Sequence, residues 1–148
     1  MSNAMTDSKL FAALAYSGAL PFIACAVLPW LGIPTLPVIG DCKYISATYG
    51  VAIASFMAGI HWGTYLYRAD SLPVNLLVTS NVITLGVWFA FLLAPINASL
   101  AANLVAFAAL LVIDYKLAGA GLISDAYLKL RRNVTSIVIA SLALTIMA

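Results

Sequence analysis

His61 is the only histidine of this 148-residue chain. It stands inside a continuously apolar stretch, residues 49–63, that reads as part of a membrane-crossing helix. An imidazole in hydrocarbon is a candidate for handling a proton or a ligand, because its charged form is costly there. The plainer reading is a neutral histidine that fixes helix packing through one hydrogen bond. Asp114 ends another apolar stretch at a similar depth. Its carboxylate either accepts from His61 or meets Lys116, Arg131 or Arg132 at the membrane interface. Asn81 and Thr84 share a helical face with Trp88 and either line the same polar cavity or supply interhelical hydrogen bonds. We therefore expect a candidate polar cavity of His61, Asp114, Asn81 and Thr84.

Other chemistry is not expected. There are no paired carboxylates, and the chain contains no glutamate. There is no nucleophile elbow, phosphate loop or zinc-binding pair of histidines. The expectation is a non-enzymatic protein with no metal and no cofactor. Cys25 and Cys42 form no metal motif. A bridge between them is conceivable because both lie toward the same membrane side, but Cys25 sits in an apolar helix that ordinarily keeps a free thiol. Phe22-Ile23-Ala24-Cys25 resembles a lipoprotein cleavage box only faintly, since the apolar run continues past the cysteine to Leu31.

The elements that must position these residues follow from composition. Hydrophobic types make up 64% of the chain and charged types 8%, so twelve charged side chains cannot cover a globule of this size, and hydrocarbon must be the solvent. The net charge of +2 gives no reason to expect nucleic acid. Crossing a bilayer takes about 20 apolar residues as a helix, and about five segments qualify: 10–31, 45–67, 73–93, 98–115 and 130–148. Each is too long and too uniformly apolar for a barrel strand. The expected fold is an all-α polytopic bundle in one domain, residues 5–148. Met1-Ser2-Asn3-Ala4 reads as an expression scar ahead of a native start at Met5.

Turn chemistry separates the spans. The run Gly32-Ile33-Pro34-Thr35-Leu36-Pro37 ends the first, and Asp70-Ser71-Leu72-Pro73 ends the second, with Pro73 in the first turn of the next helix. Ala94-Pro95-Ile96-Asn97-Ala98-Ser99 makes a short hairpin, and Ser124 N-caps a last helix that starts near Asp125. Pro21 interrupts the first span at mid-membrane and predicts a kink near Ser17. Six of the seven lysines and arginines (Lys9, Arg68, Lys116, Lys129, Arg131 and Arg132) fall on one side of a five-span arrangement, and Lys43 falls on the other. The positive-inside rule then predicts a cytoplasmic N-terminus and an external C-terminus. Trp30, Tyr44 and Trp88 would mark the outer interface, and Tyr67, Tyr115 and Tyr127 the inner one. Lys129, Arg131 and Arg132 are positioned to meet anionic lipid headgroups. Ser55, Gly59 and Gly63 recur every four residues and predict a small-residue ridge for close helix packing, with the second span central in the bundle.

Three blocks resemble a family. They are residues 16–22, residues 49–63 with the core Gly59-Ile60-His61-Trp62-Gly63, and residues 114–135 with Ala118-Gly119-Ala120-Gly121-Leu122 and Tyr127-Leu128-Lys129-Leu130-Arg131-Arg132. The chain resembles the domain of unknown function 3429 family of small integral membrane proteins, which has a mitochondrial transmembrane relative in animals. That resemblance implies a compact helical bundle and carries no established activity. The expected role is to bind or pass a small solute or lipid headgroup through a polar cavity facing the cytoplasm of a bacterial inner membrane. The alternative is a structural or assembly subunit of a larger membrane complex. Expected partners are the bilayer itself and either another membrane protein or a second copy of the chain.

Overall fold

The computed structural model describes residues 2–68 and 72–148, the side chains of residues 2–8 excepted. Six α-helices follow in chain order: α1 (Ser2–Ser17), α2 (Leu20–Val27), α3 (Cys42–Arg68), α4 (Leu76–Leu93), α5 (Ile96–Gly119) and α6 (Asp125–Met147). The first span is thus two helices. Pro21 sits in the first turn of α2, where its missing N–H is tolerated, and the chain breaks before it at Gly18 and Ala19. Tyr49 from α3 donates its hydroxyl to the Gly18 carbonyl at 3.1 Å, satisfying a group that the break releases. Beyond α2 a 3-10 turn (Leu28–Leu31) leads into a two-stranded hairpin, β1 (Thr35–Leu36) antiparallel to β2 (Gly40–Asp41). Its turn holds Val38 at φ 71°, a strained conformation for a β-branched residue.

Among the described residues, four segments are long and apolar enough to cross a membrane: Lys9–Leu31, Leu76–Leu93, Ile96–Gly119 and Asp125–Met147. The 18 residues of α4 rise about 27 Å at about 1.5 Å each, close to the ~30 Å of bilayer hydrocarbon. At 27 residues α3 is longer still, but its serines, threonines, tyrosines and His61 keep it outside that set. Of those groups Ser46 and His61 are buried, whereas Tyr44, Thr48 and Tyr67 are exposed. As expected for a central helix, α3 packs against α2, α4, α5 and α6. Against it lies α5, which also touches α4 and α6.

Polarity is distributed as lipid requires. Leu85, Phe89, Val105, Val112 and Leu144 are among many exposed large apolar residues, while Ser46, Ser80, Ser99, Asn103, Thr135, Ser141 and Thr145 are buried. Apolar groups facing outward gain nothing by leaving hydrocarbon, so the helices associate through packing and hydrogen bonds inside. The core joins Phe22 to Phe107, edge to face at 5.7 Å, with Leu100, Leu110 and Leu142 around them.

The close approach of α3 to a neighbour is at Gly50. A Cβ there would stand 2.6 Å from Asn103 Nδ2, and that amide donates to the Ala47 carbonyl of α3 at 3.0 Å. The expected ridge does not pack inside the chain. Gly59 is exposed and Gly63 and Ser55 are half-buried, and a Cβ on either glycine would meet nothing within 4 Å. The buried face of α3 is instead Ala47, Gly50, Ala54, Ala58 and His61, because the helix turns that stripe inward and Gly59 outward.

Local signals place the helix starts. Asn75 accepts from the Val78 N–H at 3.1 Å and caps α4, so Pro73 precedes the helix and does not enter its first turn. Asp70 and Ser71 of the expected stop lie outside the described residues, as do Met1 and the side chains of Ser2, Asn3 and Ala4. Ser124 caps α6, accepting from the Tyr127 N–H at 3.3 Å, as expected from its position. Cys25 and Cys42 are both buried free thiols.

Candidate functional site

The last two turns of α3, the end of α5 and the start of α6 meet at one end of the bundle. His61 from α3 is 3% exposed, and Asp114 from α5 is 2% exposed. His61 Nε2 stands 3.1 Å from Asp114 Oδ1. We assign the proton to Nε2, since the carboxylate accepts and cannot donate. The other carboxylate oxygen, Oδ2, accepts from Arg131 Nε of α6 at 2.8 Å, and Arg131 Nη1 lies against Met57 Sδ. Three helices therefore contribute one side chain each to a single cluster, with Asp114 in the middle.

The periodicity of α5 brings Asp114 inside. Asn103, Phe107, Leu110, Asp114 and Leu117 are all buried and fall three or four residues apart on one stripe. Arg131 belongs to such a stripe on α6, in register with buried Thr135, Val138 and Leu142. The guanidinium thus turns inward and does not reach headgroups, correcting that expectation for Arg131. Lys129 and Arg132, on other faces of the same helix, are exposed. Asp114 meets both His61 and Arg131, because its two oxygens point to different helices, and it does so buried in the bundle and not exposed at an interface.

Asn81 and Thr84 do not join the cluster. Asn81 is exposed and donates to the Leu77 carbonyl of its own helix at 2.7 Å, while Thr84 is half-buried on α4. Asn81 faces away because α4 buries Leu76, Ser80 and Val87 instead, and Thr84 flanks that stripe on a helix that gives no residue to the cavity lined by His61 and Asp114. Helical periodicity alone gives the relative face of Asn81 and Thr84 but not which face the bundle covers.

Two adjoining cavities open at this cluster. A cavity of about 440 Å³ is lined by His61, Thr64, Asp114, Leu117, Ile123 and Ser124. A cleft of about 310 Å³ runs from Leu14 and Ala15 of α1 past Ile53 and Met57 of α3 to Arg131 and Thr135 of α6. Phe11, Ile60 and Tyr127 line both. Phe11 stacks on Tyr127 with ring centroids 6.0 Å apart, so Tyr127 packs over the cavities and is not a plain interfacial anchor. Two of the residues lining these cavities carry a buried polar atom with no hydrogen-bond partner among the described residues: His61 Nδ1 and Thr135 Oγ1. Such groups cost about 1–3 kcal/mol each when nothing satisfies them.

Charges also sort by bundle end. Lys43 meets Asn97 at the opposite end, Nζ to Oδ1 at 3.2 Å, where α3 begins and the α4–α5 turn lies. No curated protein and no solved structure matches the chain. A family model described as a protein of unknown function, DUF3429, matches residues 8–147. With all but the ends of the chain matched, and with the His61 and Arg131 blocks inside the match, this multi-pass membrane protein belongs to the DUF3429 family.

Proposed function

We propose that this protein binds a small solute or lipid headgroup, without transforming it, in the cavity beside His61, Asp114 and Arg131. The observation that carries the reading is the buried three-helix cluster itself. Ionisable groups are expensive in a bilayer, and a bundle held together by packing alone has no need of them. Here they border a cavity of about 440 Å³, within the size range of small-ligand sites. We place the chain in a bacterial inner membrane, N-terminus cytoplasmic and C-terminus external. The grouping of Lys9, Arg68, Lys116, Lys129, Arg131 and Arg132 supports that orientation, and the cavity then faces the cytoplasm.

A second reading, an assembly subunit of a larger membrane complex, draws support from α3. Among the described residues nothing lies within 4 Å of a Cβ added at Gly59 or Gly63, and such faces admit close approach by another helix.

Native mass spectrometry of the protein, extracted with its own lipids into nanodiscs, separates the two. The binding reading expects a retained non-protein mass whose occupancy falls about tenfold in His61→Gln, equivalent to losing about 1.4 kcal/mol. Equal occupancy in the variant, or a wild-type chain that carries only other polypeptides, overturns it.

A further inference from the structure

We infer that the two adjoining cavities form one site for an uncharged, hydroxyl-bearing, single-chain amphiphile. This deepens the reading above by naming the ligand class. Its headgroup occupies the His61 cavity, and its chain lies in the cleft between α1, α3 and α6.

Charge decides the headgroup. The Arg131 guanidinium balances the Asp114 carboxylate at 2.8 Å, so an uncharged imidazole leaves the cluster neutral. An anionic headgroup would bring a second negative charge beside a carboxylate that is 2% exposed, with no further cation among the described residues buried there to meet it. A cationic one would compete with Arg131. With its proton on Nε2, His61 presents a lone pair at Nδ1, and that atom has no partner among the described residues. The group that satisfies a lone pair is a donor, and an alcohol supplies one without charge. Thr135 Oγ1 is the second unpartnered atom, and its hydroxyl serves an ester or ether oxygen further along the ligand.

Volume and polarity decide the chain. Apart from Arg131 and Thr135, the cleft is walled by apolar side chains such as Leu14, Ile53 and Val134. At about 30 Å³ for each water-sized group, its 310 Å³ holds about ten heavy atoms. That is a medium acyl chain. Because Phe11, Ile60 and Tyr127 wall both spaces, headgroup and chain can be held together. Phe11 is itself 50% exposed and can move aside at the lipid-facing edge.

The test uses the full chain in phosphatidylcholine nanodiscs with the imidazole nitrogens of its single histidine labelled for NMR. Monodecanoylglycerol, decanoate and glycerol are titrated separately. The proposal expects a saturable shift of Nδ1 with monodecanoylglycerol, a response at least about tenfold weaker to decanoate because its charge stays uncompensated, and none to glycerol at equal concentration. Ala15→Phe, which fills the cleft without touching the cluster, should weaken monodecanoylglycerol at least about tenfold by displacing two or more methylene groups. Thr135→Val provides a milder variant with its fold preserved and should weaken it about threefold through one lost hydrogen bond. A response to glycerol equal to that of monodecanoylglycerol, or one unaffected by Ala15→Phe, overturns the amphiphile and leaves the polar cavity standing. Preference for decanoate overturns the uncharged headgroup. Silence of His61 toward all three probes overturns both this inference and the reading on which it rests.

Discussion

Removing the charge of Asp114 should destabilise the bundle through Arg131, and removing both charges should cost less than the sum of the two single losses. Asp114 is 3% and Arg131 11% exposed at the side chain, with 2.8 Å between Oδ2 and Nε. Two unit charges about 4 Å apart attract by about 4 kcal/mol at an effective dielectric constant near 20. Desolvation of both ions offsets part of that, so the pair leaves a coupling of about 2 kcal/mol. Breaking a buried pair from one side typically costs about 3–5 kcal/mol, because the surviving ion is left uncompensated. For Asp114→Asn we expect the lower end, about 3 kcal/mol, since a long arginine at a helix start can turn partly toward water. Arg131→Gln should cost at least as much, because the carboxylate lies deeper and keeps only His61. The double variant Asp114→Asn/Arg131→Gln should then lose about 4 kcal/mol, not the sum of its parts. Reversible unfolding in mixed micelles, titrated with sodium dodecyl sulfate, measures all four corners of the cycle. Additivity within about 0.5 kcal/mol, the behaviour of independent sites, would refute the cluster as drawn.

Other outcomes follow from the same packing. Gly50→Ala should cost about 1–3 kcal/mol by overpacking against Asn103, with Asn103→Ala partly rescuing it, whereas Gly59→Ala and Gly63→Ala should be neutral or stabilising in the same unfolding assay. Tyr49→Phe should cost about 0.6 kcal/mol, an average membrane hydrogen bond, and loosen the α1–α2 break, read as faster amide exchange at Gly18 and Ala19. Reporter fusions after Ala148 should signal the external side and fusions in the turn before Ser124 the cytoplasmic side; a cytoplasmic C-terminus would contradict the orientation.

The solvent of this fold was legible before any coordinate. A chain with 8% charged residues has no other place to put its apolar groups, and backbone hydrogen bonding in lipid admits helices. Local chemistry was equally readable: Ser124 as a cap acts within three residues, and proline's missing N–H interrupts the first span wherever that span folds. The partnership of His61 with Asp114 was one of two possibilities for the carboxylate, and their separation of 53 positions in sequence left the choice to helix packing. Arg131 could have been placed inside, since Thr135, Val138 and Leu142 continue its face at helical spacing, but a pair of arginines at a helix start also fits the interface.

The tertiary structure alone decided which face of each helix the bundle covers. In water a hydrophobic stripe marks the buried side, but here nearly every face is apolar and lipid accepts them all. The glycine stripe of α3 is therefore uncovered while Gly50 makes the close approach. Asn81 bonds within its own helix, and Asn103, equally polar in sequence, is fully buried at the contact with α3. Composition determined that helices cross the membrane. The fit of individual side chains, Asn103 over Gly50 and Asp114 between His61 and Arg131, determined how they meet, because only packing and hydrogen-bond geometry distinguish one apolar face from another in hydrocarbon.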